Sequence, residues 1–417
     1  MPRPIRQSET DACPGALRLH AAADGPLARV RLPGGMLTGP QLAELTAIAT
    51  EWGDGGLELT SRANVQLRAL TRANPATLAA RLNAAGLLPS QTHEVVRNIA
   101  APPLADEPLR ALVRSLDESL CADPALAALP GRFLFAIGPV PLVADLAALP
   151  TPDGFAILFA GRDEGLRTPA DRVVEALVAG AHAFLAERAT TEQATAERAT
   201  AERATTEAPA WRLAELADGP SRVATLVGAA LGVPLRTSPS PSVRLPPPDK
   251  SEMSGGATPS LVGVIEQADG RVALGAIVPL GRLTGVPAKV LMDAPRLALT
   301  TARGVVIPDL QPAAAAGWLA RLSAAGLPVE ADSRWSGVTA CAGRPGCAKS
   351  LADVRADALE ATRHTDGLPV HWVGCARGCG SPAGPHVRVE ATPGGYIVRG
   401  EPVDGDLGDA VSAARRP

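Results

Sequence analysis

Lysine is almost missing from this chain. Lys250, Lys289 and Lys349 are the only three, which leaves 37 of the 40 basic residues as arginine. An arginine at a given place therefore says less than usual about a need for its planar fork, and position has to carry the argument. Net charge is small as well. At −3, with a pI near 6.1, the chain has no global field that would draw nucleic acid or an anionic membrane. No run approaches the roughly 18 apolar residues of a membrane span. The opening "MPRPIRQSETDACPG" lacks the apolar stretch of a signal peptide. These absences lead us to expect a soluble cytoplasmic protein, with nucleic acid and membrane excluded as partners. No G-x-G-x-x-G follows a strand pattern, so no nicotinamide-binding site is legible.

What is present is a globular chain. At 417 residues and 46% hydrophobic composition it is long enough for two or three domains with their own cores. "LARVRL" (27–32) alternates as a half-buried strand does. Thr38 and Gln41 match a capping box ahead of Leu42, Leu45, Ile48, Ala49 and Trp52 at helical spacing, and "GDGG" (53–56) ends that helix. "LELTSRANVQLRAL" (57–70) predicts two short strands around a polar turn, and Pro75 opens a second helix that Gly86 closes.

The same unit returns 240–246 residues later. "GGMLTG" (34–39) is echoed by "LGRLTG" (280–285), "LELTSRANVQL" (57–67) by "LALTTARGVVI" (297–307), and "AAGLLP" (84–89) by "AAGLPV" (324–329). Three echoes in one order indicate a duplicated α+β unit. The copies differ at the turn, where the first has Arg62, Asn64 and Gln66 and the second Thr301, Ala302, Gly304 and Val306. That contrast marks the first turn as a candidate site and the second as scaffold, against the plainer alternative of a solvated turn. Between the copies lie a helical stretch from about Glu107, apolar strands "RFLFAIGPV" (132–140) and "FAILFAG" (155–161), and a helix from about Pro169. That helix runs into an A-T-A-E-R tract (186–207), expected as a solvated helix or a disordered insertion. A Pro- and Ser-rich linker follows at 238–256.

Four of the six cysteines stand in two loops, "TACAGRPGCAKS" (339–350) and "VGCARGCGSP" (373–382), spaced C-x5-C and C-x3-C. In a reducing compartment such clustering points to metal or redox chemistry before disulfides, while a lone cysteine such as Cys121 reads as a buried small hydrophobe. Structural zinc remains open, although C-x5-C is wide for it. An iron-sulfur cluster tolerates looser spacing and needs small residues close to its core, which Gly343, Gly346, Gly374, Gly378 and Gly380 provide.

"CAGRPGC" followed by "GCARGC" resembles the paired cysteine motif of the siroheme-dependent sulfite and nitrite reductases, and "LTSRANVQL" resembles that superfamily's arginine-bearing loop. The likeness covers most of the chain outside 186–256. Within the superfamily, the opening "CPGALRLHAAADGPLARVRLPGGMLTGPQL" and the modest length are most similar to the precorrin-3B synthase family of the oxygen-dependent cobalamin pathway. The resemblance implies an α+β fold: duplicated ferredoxin-like half-domains plus nitrite/sulfite reductase-like α/β domains with pseudo-two-fold symmetry. The expected boundaries are 12–92 and 260–332 for the half-domains and 93–245 for the first reductase-like domain with its 186–207 insertion. A linker at 246–259 and an iron-sulfur-binding domain at 333–417 complete the division.

The resemblance also implies roles. Cys341, Cys347, Cys375 and Cys379 would bind a 4Fe-4S cluster, with Cys379 facing the tetrapyrrole. Arg62, Arg97 and Arg132 would serve substrate binding and catalysis, with Asn64 and Gln66 beside the macrocycle. Arg132 matches the first of two basic residues that hold sulfite or nitrite in the reductases, and the second falls on Leu134. His386 stands where the reductases usually have an acid. The loss at Leu134 weakens a reductase assignment, since a small oxyanion needs several cations around it, and both departures fit a protein that kept the scaffold and changed the chemistry. The implied activity is an NADH- and O2-dependent monooxygenase acting on precorrin-3A, fed by a separate reductase. A mononuclear non-haem iron would accompany the cluster, with His20, His93, His371 and His386 as candidate ligands. Siroheme enters only under the alternative of a sulfite or nitrite reductase. A non-catalytic electron carrier or zinc-stabilised binding protein is the alternative of another class. The plainer reading of Arg97 and Arg132 is a structural ion pair, and that of any one histidine a surface or core residue.

Overall fold

The structure is a computed structural model that describes residues 13–202, 209–236, 261–363, 366–382 and 384–416. The expected linker at 246–259 lies outside these residues, as does the end of the 186–207 tract. Up to Glu202 that tract continues the helix Val173–Glu202. No described helix is long and apolar enough to cross a membrane.

Local chemistry sets the first repeat. The Thr38 N–H donates to Gln41 Oε1 at 3.0 Å and the Gln41 N–H returns to Thr38 Oγ1 at 3.4 Å, so the capping box forms and starts the helix Gly39–Trp52. Leu42, Leu45, Ile48 and Ala49 bury one face, and Gly53 caps the end. Strands Gly56–Leu59 and Val65–Leu67 flank the polar turn, and Asn74 caps the helix Pro75–Ala84.

The three sequence echoes are also echoes of backbone geometry. Gly34 and Gly35 have φ of 65° and 69°, and Leu280 and Gly281 have 53° and 68°. In the turns, Thr60 accepts from Ala63 N–H and Asn64 N–H as Thr300 does from Arg303 N–H and Gly304 N–H. Both helix ends close on a left-handed glycine, Gly86 and Gly326 at φ 70° and 83°.

The chain divides into two compact units that do not follow chain order. One comprises Ala16–Val30, Met36–Leu87 and the chain from Pro247, and the other Met1–Gly15, Arg31–Gly35 and Leu88–Pro246. In the first unit each repeat completes the other's sheet. One five-stranded antiparallel sheet runs, in spatial order, His20–Ala22, Gly25–Val30, Val65–Leu67, Gly56–Leu59 and Arg282–Thr284, the last from the second repeat. Its twin runs Gly263–Glu266, Val272–Ala276, Val305–Leu310, Leu297–Leu299 and Met36–Leu37, the last from the first. Arg282 pairs with Glu58 and Leu297 with Leu37. This exchange ties the expected half-domains 12–92 and 260–332 into one body.

A third sheet in this unit orders Val338–Ala340, Val370–Val373, Val387–Thr392, Gly395–Val398 and Glu401–Pro402. Its first three strands are parallel and the rest antiparallel. Trp372, Val354, Val387 and Val389 form its dry centre, against which Leu280 and Ile277 of the second repeat pack.

The other unit repeats that plan. Ile99–Ala100, Phe135–Ile137 and Leu146–Thr151 run parallel, then Gly154–Phe159 and Arg162–Thr168 antiparallel. Phe133 meets Phe135 and Phe184 at ring-centroid distances of 5.2 and 4.7 Å in its core. The strand Leu146–Thr151 was not legible in the sequence, because "LAALPT" carries no alternation. The duplication thus extends beyond the ferredoxin-like repeat, where no sequence echo survives.

Candidate functional site

The cysteine loops leave the carboxyl ends of two neighbouring parallel strands, the place where open α/β sheets present ligand sites. Cys341 follows Val338–Ala340, and Cys375 follows Val370–Val373 after one glycine. The Cys341 N–H donates to the Trp372 carbonyl at 2.9 Å, extending the ladder into the loop. Gly374 N–H points at Cys341 Sγ, 3.3 Å away. A Cβ at Gly374 would stand 1.8 Å from Ser350 Oγ, so only glycine allows the two loops to close on each other. Leu351 N–H donates to the Gly374 carbonyl at 2.8 Å and Ser350 N–H to that of Cys347 at 3.0 Å, locking the pair.

The four loop cysteines form no disulfide in this structure. Cys341, Cys347 and Cys375 are half-buried and Cys379 is exposed. Burial pushes the Cys379 thiol up, Arg377 opposes, and Cys341, Cys375 and Cys347 each push it further up. Cys379 therefore lies within electrostatic reach of the other three sulfurs. Thiolates gathered in this way call for the positive charge of a metal centre. Among the described residues no three His, Cys, Asp or Glu side chains group as ligands of a single metal ion. What fits a cluster is the loop chemistry, four cysteines from two loops that close on each other at Gly374, whose N–H donates to a cysteine sulfur.

A buried acid ties the first repeat to these loops. Glu58, on the strand Gly56–Leu59, is bonded by Arg355, whose Nε donates to the Cys341 carbonyl at 3.2 Å. Arg68 lies 3.6 Å from the same carboxylate, binds Asp24 through two bonds of 2.9 and 3.0 Å, and donates to the Gly346 carbonyl at 2.6 Å. Burial alone would raise the Glu58 pKa, but Arg355, then Arg68 and Arg282, hold it below the usual glutamate value. Sequence reading missed Glu58, Arg68 and Arg355, since their meeting depends on the sheet edge that the repeats share.

Gln66 belongs to this network. Its Oε1 accepts from Arg29, with Nε at 3.1 Å, and its Nε2 donates to Glu58 Oε2 at 3.1 Å. Asn64 is buried and Arg62 half-buried on the turn, where the Arg62 N–H donates to Thr60 Oγ1 at 3.4 Å. The second turn is not bland. Arg303, passed over in the sequence, occupies the position of Ala63 and has φ 62° against 55°.

Arg97 and Arg132 belong to the other compact unit. Arg97 is buried and forms a two-pronged pair with Asp117, Nε to Oδ1 at 2.7 Å and Nη2 to Oδ2 at 2.6 Å. Cys121 is half-buried beside this pair, not sealed in an apolar core; burial and Asp117 push its thiol up while Arg97 opposes. Arg132 is exposed, its guanidinium 4.8 Å from the centre of the Trp211 ring. Leu134 is 3% exposed, packs with Ala136, Val140 and Leu158, and gives its N–H to Asp145 Oδ2 at 2.8 Å.

The histidines differ in availability. His20 is exposed. His93 has Nδ1 at 2.8 Å from Ser90 Oγ and Nε2 at 2.9 Å from the Asp123 carbonyl. His371 has Nδ1 at 2.8 Å from Thr339 Oγ1 and Nε2 at 3.0 Å from the Cys379 carbonyl. Burial, more than any neighbour, lowers the His371 pKa to about 4 and leaves it neutral. His386 stands edge-on to it at 6.3 Å.

Residues 20–85 match the family described as the nitrite/sulfite reductase ferredoxin-like half domain. Over 400 residues the chain is 27% identical to the ferredoxin–nitrite reductase of Synechococcus elongatus, covering 85% of this chain and 74% of the relative. Over 401 residues it is also 27% identical to a precorrin-3B synthase of Sinorhizobium sp., covering 92% and 81%. Among solved structures it resembles the NirA protein of Mycobacterium tuberculosis, with a TM-score of 0.67 and 21% identity over 89% of this chain and 73% of that one. The fold is therefore α+β, of the kind seen in NirA.

Proposed function

We propose that this chain is an oxidoreductase acting on a polycarboxylated tetrapyrrole, and within that class a precorrin-3B synthase. It would use O2 to hydroxylate precorrin-3A at C20 with closure of a γ-lactone, drawing electrons from NADH through a separate reductase in the cytoplasm. The observation that carries the redox part is the quartet Cys341, Cys347, Cys375 and Cys379, four cysteines on interlocked loops, three of which act electrostatically on the Cys379 thiol. They would hold a 4Fe-4S cluster, which supplies one-electron transfer when bound.

The chain's own residues prepare that place. The Gly374 N–H donates to the Cys341 sulfur, and Arg355 and Arg68 fix the carbonyls of Cys341 and Gly346. Arg62, Arg97 and Arg132 are proposed to pair with peripheral carboxylates of the macrocycle, for which a guanidinium fork is well shaped. Asn64 would stand beside them, and Gln66 would act by holding Glu58 and Arg29. Arg97 would have to share its fork with Asp117. No trio of ligands among the described residues supports the mononuclear iron.

A second reading, siroheme-dependent nitrite or sulfite reductase, is favoured by the match to the Synechococcus enzyme, which is equal in identity. Leu134 counts against it. The position where that chemistry calls for a second cation is an apolar side chain 3% exposed in the core. A zinc-stabilised binding protein is disfavoured by the C-x5-C spacing, which is wide for zinc.

The test is anaerobic purification with a spectrum and iron, sulfide and zinc analysis, followed by incubation with precorrin-3A, 18O2 and a reducing system. About four irons and sulfides per chain, no isobacteriochlorin bands and one labelled oxygen in the product support the oxygenase. Bound isobacteriochlorin with reduction of nitrite or sulfite selects the second reading. Zinc without sulfide removes both.

A further inference from the structure

Arg303 stands at the turn of the second repeat in a left-handed conformation, φ 62°, that costs any residue with a Cβ. The first repeat puts alanine there, Ala63 at φ 55°. The turn itself therefore has no need of an arginine.

Two glycines clear the path of its side chain. A Cβ on Gly281 would lie 2.9 Å from Arg303 Cδ, and one on Gly380 would lie 3.2 Å from Arg303 Nη2. The guanidinium thus ends against the loop that carries Cys375 and Cys379. Among the described residues no carboxylate, carbonyl or ring lies within bonding distance of it. The acid that acts on it from farther away, Glu58, is already bonded to Arg355 and Gln66. Burial, and then repulsion from Arg355, push its pKa below the ordinary arginine value, with Glu58 opposing. Arg303 and Arg388 both bear on His371, and Arg388 has its own acid, Glu390, at 2.8 Å. A half-buried guanidinium with no side-chain counter-charge of its own is unfavourable unless an anion arrives from outside.

We propose that Arg303 binds an anionic oxygen pair of the ligand, a peripheral carboxylate of the tetrapyrrole, against the Gly380 side of the cysteine loop. This rests on the tetrapyrrole reading above. It gives the second repeat a substrate contact of its own, where sequence reading assigned only scaffold. A small inorganic oxyanion such as nitrite or sulfite offers the same chemistry, so the test separates the two sources.

The probe is uroporphyrin, a macrocycle with carboxylates all round its rim, titrated into the full chain and followed by its absorbance shift. The variants are Arg303→Ala, which restores the residue of the twin turn, and Arg303→Lys. Arg399→Ala is the control, because Arg399 is an exposed arginine at φ 52° and removes the same charge. We expect Arg303→Ala to weaken binding about tenfold to a hundredfold, Arg303→Lys to weaken it less, and Arg399→Ala to bind as the parent does. Parent-like binding by Arg303→Ala, with thermal unfolding unchanged, would overturn the role of Arg303 and leave the tetrapyrrole reading standing. A parent protein that ignores uroporphyrin but binds nitrite or sulfite in an Arg303-dependent way would overturn the carboxylate assignment in favour of the inorganic source. A parent that binds none of these probes would overturn the tetrapyrrole reading, and the proposal with it.

Discussion

Arg68 Nη2 lies 2.6 Å from the carbonyl oxygen of Gly346, a residue 278 positions later in the chain. The contact joins the end of the first repeat's sheet to the loop between Cys341 and Cys347. The same guanidinium is held by Asp24, with side-chain exposures of 6% and 11%, so it acts as a fixed peg. A Cβ on Gly346 would come within 2.7 Å of that nitrogen, which explains a glycine there.

Removing the peg should loosen the loop. Arg68→Met strands the Asp24 carboxylate and frees the Gly346 carbonyl, and breaking a buried pair costs about 3–5 kcal/mol. We expect a lower denaturation midpoint and faster loss of iron on exposure to a chelator. Arg68→Lys, which cannot make both bonds to Asp24 and reach Gly346, should fall between. Iron retention equal to the parent in Arg68→Met would show that the contact does not support the thiol site.

Single serine substitutions at Cys341, Cys347, Cys375 and Cys379 should each abolish or strongly reduce iron and sulfide content while leaving the far-ultraviolet circular dichroism intact. Cys13→Ser and Cys121→Ser should retain both. Iron retained in all four of the first set would remove the cluster.

Glu58 predicts a pH dependence with a definite sign. Its folded pKa is held below the ordinary 4.5 by Arg355, Arg68 and Arg282 against the opposing effect of burial. The unfolded chain thus binds the proton first. The stabilisation is complete above that value and is lost as pH falls from 4.5 through the folded pKa. Urea midpoints measured between neutral pH and acid should show this limb in the parent and a shallower one in Glu58→Gln, whose neutral-pH stability is already reduced. An unchanged acid limb in the variant would assign the dependence to other carboxylates.

Gly374→Ala places a Cβ on Ser350 and should cost about 1–3 kcal/mol, the usual penalty for overpacking a closed site. The double variant with Ser350→Ala should recover part of that, because the two side chains compete for one space. Strict additivity of the two effects in denaturant melts would show that the loops do not close on each other.

For Arg97 the pairing with Asp117 makes stability and function separable. Arg97→Met should cost about 3–5 kcal/mol, and Arg97→Met with Asp117→Leu should regain much of it, since an apolar pair can replace a buried ion pair. Turnover of precorrin-3A should stay lost in both if Arg97 also meets substrate. Turnover restored together with stability would make Arg97 a structural residue only.

Much of the first repeat was legible because its signals are local. Thr38 and Gln41 are three residues apart, the Leu42–Ala49 stripe follows one helical period, and Pro75 and Gly86 act through their own backbone angles. The cysteine loops announced themselves by spacing and by glycines. Arg303 was overlooked because its meaning lies in what it lacks, a counter-ion, and no string of letters records that. Gln66 was expected beside the macrocycle because its loop resembles that of the superfamily, whereas the bonds of its amide to Arg29 and Glu58 are recorded in no string of letters.

By itself the sequence determined the elements, their duplication and the four thiols, because those depend on periods and spacings within a few dozen residues. Only the tertiary structure decided that each repeat lends a strand to the other's sheet, that the cysteine loops sit on adjacent parallel strands, and that Glu58 and Arg68 reach across to hold them. Those facts rest on pairings between segments about 220 to 300 residues apart, such as Arg282 with Glu58 and Arg355 with Glu58. Hydrogen bonds and charge act through space, and a chain fixes such distances only once its cores have formed.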